Sequence, residues 1–284
     1  MSEQDGTDSF HMVQCWLDPR RLVQLGKMHK LPLAKTDTNY LVHCALGRLF
    51  GDDAPKPFFV DDDPRTAEDT ARERPSGHSL RVLGYSDCGK DDLRREAKLA
   101  ANPTIANLCD WDRFDSHEMP QTFRDEKRLG FELRACPVVR KSSAGEGENR
   151  AGKKRTWRAG QELDVFLSEA WTSETEEKLD REKVYGEWLK DQFEQRGGAK
   201  LKTSEVRTTD DVIETDDVSM TRFSIERVVR RHGQTRKPKN FQIPDVTLTG
   251  TLTVTDGAAF TDLLRSGIGR HKSFGYGMLK VRRA

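Results

Sequence analysis

What most limits the fold of this chain is the order in which its apolar patterns follow one another. Phe10–Leu17 (FHMVQCWL) mixes β-branched and aromatic residues with polar ones and predicts a strand. Pro19 opens a helical stretch through Lys30, and Thr36-Asp37 supplies an N-cap for a helix over Thr38–Phe50. In that helix Val42, Ala45, Leu46 and Leu49 fall at helical spacing and form a core face, and Gly51-Asp52-Asp53 stops it. Lys56–Val60 and Ser79–Tyr85 predict two short strands, Asp91–Ala101 a charged helix, and Leu129–Arg140 (LGFELRACPVVR) a strong strand. Residues 102–127 have no clear period. Beyond them the order recurs: helices over Gln161–Trp171 and Lys183–Gln195, strands over Val218–Val229 and Val246–Val254 (VTLTGTLTV), a short helix Ala258–Leu264 and a last strand Met278–Val281. Strand, helix, strand, strand, helix, strand, given twice, predicts an α+β fold of two tandem ferredoxin-like (RRM-like) domains, followed at the C-terminal side by a glycine-rich loop. The expected divisions are a disordered leader over residues 1–9, a first domain over 10–140 and a second over 141–284.

Charge is segregated along the chain. The formal net charge of +1 would on its own argue against a polyanionic partner, but a polyanion responds to local charge. Between Met220 and Asn240 there are seven Lys/Arg against Glu226 alone. Between Arg140 and Arg158 there are seven against two Glu, in a stretch whose Gly and Ser content predicts a mobile basic loop over 141–159. Between Asp52 and Arg74 acids outnumber bases eight to four, and residues 61–77 read as an acidic loop. The five cysteines (Cys15, Cys44, Cys88, Cys109, Cys136) form no CxxC or Cys/His pair and read as reduced thiols. No apolar run approaches the ~18 residues of a membrane span and the first residues are polar, so a cytoplasmic protein is expected.

The segment Gly267–Gly277 (GIGRHKSFGYG) holds four glycines together with Arg270, His271 and Lys272. Glycines at 267, 269, 275 and 277 permit positive φ and close backbone approach, so that N–H groups could converge on a phosphate. A helix precedes the loop and a strand follows, the reverse of a dinucleotide fingerprint, and no Walker spacing is present. The whole stretch Val246–Val281 resembles the C-terminal signature of the CasE family, the CRISPR RNA endonucleases of type I-E Cascade. Three further segments are similar to that family: Thr38–Val60 with its Tyr-x-x-His pattern, Leu129–Val139 (LGFELRACPVV) and Val184–Phe193 (VYGEWLKDQF). Residues 61–77, 86–127 and 141–160 match it poorly and read as insertions.

The resemblance directs attention to Tyr40 and His43, which stand three apart on one side of the helix, with Gly47 one turn further on the same stripe. It makes His43 the leading catalytic candidate and Tyr40 its partner; His29 ranks second and His271 third. RNA carries its own nucleophile, the 2′-hydroxyl beside the scissile phosphate. An imidazole with a free pKa of about 6.5 can perform one of the two proton transfers, as base or as acid. Tyr40 could position the hydroxyl or phosphate, and Arg270 or Lys272 could stabilise the developing charge. The resemblance implies a hairpin-specific endoribonuclease that cuts CRISPR precursor RNA at the 3′ base of the repeat stem-loop, leaving a 2′,3′-cyclic phosphate and a 5′-hydroxyl. No metal or other cofactor is expected. The enzyme would then stay on the mature guide RNA, with the repeat stem-loop and other Cascade subunits, the backbone subunit first, as partners and with no membrane or direct DNA contact. The stem is expected to be gripped by Arg227, Arg230, Arg231, Arg236 and Lys237 and by the loop residues Gly267, Gly269, Arg270, Lys272, Gly275 and Gly277. Two rival readings are a non-cleaving RRM-like RNA-binding module and a nucleotide-binding ferredoxin-like protein; basic clusters far apart in sequence argue against the second.

Overall fold

The structure is a computed structural model that describes residues 10–31, 33, 36–61, 79–149, 152–172, 179–207, 212–231 and 238–284. The leader over 1–9, nearly all of the acidic loop 61–77, and the hairpin tip carrying Arg236 and Lys237 lie outside the described residues.

The first half contains β1 (His11–Leu17), α1 (Pro19–Met28), α2 (Thr38–Phe50), β2 (Phe58–Asp61), β3 (Leu80–Ser86), α3 (Lys90–Ala100) and β4 (Asp115–Glu118). Its sheet runs β2-β3-β1-β4, antiparallel throughout. That is the ferredoxin-like order, in which the first and third strands share the centre and the second and fourth take the edges. Helix α2 occupies the residues expected of it. The Asp37 carboxylate accepts the Tyr40 N–H at 2.9 Å, satisfying one orphan donor of the first turn, and Gly51 ends the helix at φ 57°. Val13, Cys15 and Leu17 of β1 meet Val42, Ala45, Leu46 and Leu49 of α2 in one buried cluster.

The second half comprises β5 (Arg128–Ala135), β6 (Val138–Arg140), β7 (Gly145–Glu148), β8 (Lys154–Trp157), β9 (Glu162–Asp164), α4 (Val165–Thr172), α5 (Arg181–Arg196), β10 (Ala199–Leu201), β11 (Thr203–Arg207), β12 (Val212–Asp216), β13 (Val218–Arg231), β14 (Pro238–Val254), α6 (Gly257–Ser266) and β15 (Leu279–Arg283). Its main sheet is ordered β10-β14-β5-β15, with β13 also on β14. Since β14 is 17 residues long, it pairs with β10 near its end and with β13 over the rest of its length. The α+β fold is therefore two tandem ferredoxin-like units followed by the glycine-rich loop and a final strand.

Sheet membership changes between Glu118 and Arg128. The strand at 128–135, counted above as the end of the first domain, is the centre of the second sheet, paired with β14 on one side and β15 on the other. Its apolar pattern announces a strand but not its partners. The single strand expected over 129–140 is two, broken at Cys136-Pro137, where Pro137 has no N–H to donate to a ladder. The stretch 141–159, expected to be a loop, contains the hairpin β7–β8, and the helix expected from Gln161 begins only at Val165, after β9.

The two halves share a core. Phe10, Phe59, Leu83 and Tyr85 of the first sheet pack with Leu129, Phe131, Trp188, Phe260 and Leu279 of the second half. Across this junction the buried Tyr85 hydroxyl donates to the Leu279 carbonyl at 2.9 Å. Among the described residues, no helix is long and apolar enough to cross a membrane.

Candidate active site

Tyr40 and His43 project half-buried from α2, with ring centroids 6.0 Å apart. The side chain that meets both comes from the other half of the molecule. Phe274, in a single 3-10 turn over Lys272–Phe274, lies 6.0 Å from the Tyr40 ring and 4.8 Å from the His43 imidazole, edge-on to the latter at 69°. Phe274 also joins a small core with Tyr276, Val228 and Ile243, so it rests on the outer part of the β13–β14 hairpin. The site thus lies where α2 meets the glycine-rich loop. Gly47, one turn on from His43, is exposed, and a methyl group there would meet nothing within 4 Å, leaving the open space that the sequence suggested.

The loop glycines at 267, 269, 275 and 277 all have positive φ, between 66° and 81°. Their main work is packing. A Cβ on Gly275 would sit 2.9 Å from Asn39 Cγ and 3.2 Å from Phe58 Cε2, so only glycine lets the loop lie against α2 and β2. Two of the N–H groups that might have met a phosphate are used inside the protein: Gly267 donates to Leu263 and Gly277 to the Arg134 carbonyl.

The loop's charged side chains also have protein neighbours. Arg270 Nε donates to Glu162 Oε1 at 2.5 Å, and His271 Nε2 lies 2.9 Å from Glu162 Oε2. The His271 hydrogen bond, together with the Arg270 charge, holds the Glu162 carboxyl down at about 2. Lys272 is partly buried, and that desolvation, with the Arg196 guanidinium nearby, holds its ammonium below the usual lysine range. Arg196 itself caps the end of α6, donating to the Gly267 carbonyl and to Ser266 Oγ. Deep beneath the loop, Arg134 makes a bidentate pair with Asp245 at 2.9 and 2.6 Å, and the Asp245 side chain is completely buried. Arg134 is thus structural.

Of the basic strand residues, Arg222 and Arg227 are exposed on β13, Arg227 opposite Gln242 of β14. Arg230 and Arg231 continue the same strand opposite Lys239 and Pro238. His29 closes α1, its N–H donating to the Leu25 carbonyl. Among the described residues no three His, Cys, Asp or Glu side chains gather as a metal-ligating group. Sequence reasoning missed Phe274 and Glu162. Phe274 stood in the quoted loop motif, where an aromatic among glycines was a usable signal. Glu162 carried none, because its role depends on where β9 lies.

Comparison with solved structures places the whole chain on one known architecture. It superposes on two structures of the CRISPR endoribonuclease Cse3 bound to a 19-nucleotide RNA. The first gives a TM-score of 0.54 at 17% identity, covering 96% of this chain and 99% of that one. The second gives 0.53 at 16% identity, covering 98% and 100%. Cse3 of Thermus thermophilus, bound to an RNA representing a pre-cleavage complex, gives 0.53 at 17% identity, covering 96% and 99%. At such identities the likeness establishes the fold. No curated protein sequence matches the chain. Residues 10–283 match the family model described as CRISPR associated protein. Spanning both ferredoxin-like units, the α2 site and the glycine-rich loop, that match means that the chain belongs to the CRISPR associated protein family.

Proposed function

We propose that this protein is an endoribonuclease that cuts CRISPR precursor RNA at the 3′ base of the repeat stem-loop and then stays on the mature guide RNA as a Cascade subunit, beside the backbone subunit, in the cytoplasm. The observation that carries this reading is the meeting of Tyr40 and His43 with Phe274 at the junction of the two halves. A proton-transfer group and a hydroxyl group there lie against the loop turn that bears Lys272. The Cse3 structures it resembles hold RNA, which supports the substrate class.

In this mechanism the 2′-hydroxyl attacks the adjacent phosphorus in line and the 5′-oxygen leaves. The products are a 2′,3′-cyclic phosphate and a 5′-hydroxyl. His43 carries one of the two proton transfers and Tyr40 holds the reacting hydroxyl or a phosphate oxygen. Lys272, partly desolvated, places positive charge where the phosphorane forms. Arg222 and Arg227, exposed on β13, meet stem phosphates, with Arg230 and Arg231 further along the strand. Because the RNA supplies the nucleophile and the side chains the protons, the reaction needs no metal.

The test uses the repeat RNA in EDTA. The wild type cuts it, and His43→Ala binds it with similar affinity but cuts about 10²- to 10⁴-fold more slowly. Binding without cutting by both proteins would leave only the RNA-binding module.

A further inference from the structure

Glu162 stands outside both main sheets. It lies in β9, which pairs with β6 so that Glu162 is opposite Arg140 and Asp164 opposite Val138. The strand is held firmly: Asp164 accepts the Tyr185 hydroxyl at 2.9 Å and pairs with Arg181 at 3.5 Å. From this fixed point the two carboxylate oxygens of Glu162 take two consecutive loop residues, Arg270 at 2.5 Å and His271 at 2.9 Å. His271 is one of three non-glycine residues with positive φ among those described, at 60°. A side chain in that conformation persists only where its surroundings hold it. It also starts the 3-10 turn, and the Phe274 N–H donates to the His271 carbonyl at 2.8 Å. The Phe274 ring then meets His43 edge-on at 4.8 Å. Each link from the Glu162 carboxylate to the His43 imidazole is a hydrogen bond, a ring contact or a single turn of backbone.

We propose that Glu162 is a positioning residue: by clamping Arg270 and His271 it fixes the turn that sets Phe274 against His43. The inference rests on the cleavage reading above, yet assigns a role in it to a residue that touches neither Tyr40 nor His43. Glu162 lies just beyond 141–160, one of the three stretches that match the CasE pattern poorly.

The experiment compares wild type, Glu162→Ala and Glu162→Gln, with His43→Ala as the reference. Single-turnover cleavage of the repeat hairpin, its binding, the melting temperature and the His43 ring proton resonances are followed. Glu162→Ala should slow cleavage about 10- to 100-fold with binding within about twofold, since a misplacement near 1 Å is enough for that loss. Glu162→Gln, which keeps the shape but not the charge, should fall between. The His43 resonances should move in both variants while the melting temperature stays close to the wild type. An unchanged rate would overturn the proposal. So would a rate that falls only in step with the folded fraction. Tighter RNA binding at an unchanged rate would also overturn it, and would mean that Glu162 merely competes with phosphate for Arg270. If the wild type binds the hairpin without cutting it, the cleavage reading fails, and the His43 resonances still decide whether Glu162 sets the contact.

Discussion

Gly275 and Gly47 flank the same site under opposite constraints. Gly275 has a φ of 81° and is packed against Asn39 and Phe58, whereas Gly47 lies in helix α2 with empty space around it. Alanine at 275 must adopt a left-handed conformation, costing about 1–2 kcal/mol, and must push into α2, costing about 1–3 kcal/mol more. Gly275→Ala is therefore expected to lower stability by roughly 2–5 kcal/mol in urea denaturation. Gly47→Ala should raise it by about 0.5–1 kcal/mol, because alanine loses less backbone freedom in a helix. Two glycines that look alike in the sequence thus differ in the sign of the effect. The motif marked Gly275 as special, but what it meets depends on residues from the other half of the chain.

Among the elements, α2 was legible to the residue because both of its ends are local: Asp37 caps it and Gly51 stops it. The strands were legible through their apolar alternation. Partnership was not. Strand β5 reads the same whether it closes one sheet or centres another, and only pairing with β14 and β15 decides. The β7–β8 hairpin was hidden by its glycines, which suggest a loop. Gly145 and Gly147 are there because larger residues would strike the Trp157 ring and the Trp171 carbonyl. The Arg134–Asp245 pair fastens β5 to β14 beneath the glycine-rich loop. Arg134→Met leaves the Asp245 carboxylate buried with no countercharge and should cost about 3–5 kcal/mol in chemical denaturation, far more than an exposed ion pair would. Helix α2 was singled out by its Tyr-x-x-His pattern, whereas Phe274 and Glu162 became visible only once the second half was folded against it.

For the whole molecule, a net charge of +1 hides a strand, β13, on which basic residues are concentrated, with Arg222 and Arg227 exposed. RNA binding should therefore fall steeply with salt despite near neutrality. Arg227→Ala should weaken binding of the stem-loop and reduce the slope of log affinity against log salt by about 1, as the loss of one phosphate contact would. Titrations at several salt concentrations would show it, and an unchanged slope would remove Arg227 from the stem-binding set. The shared core has a further consequence, which lies in time. His43 and Phe274 lie in different halves of the chain, and nearly everything between them must be synthesised before they can meet. At about 5–20 residues per second that interval is on the order of ten to fifty seconds. During it the ribosome carries Tyr40 and His43 without Phe274 and Lys272, so under the proposed cleavage reading a nascent chain still lacks half of its site and is expected to leave the RNAs around it uncut.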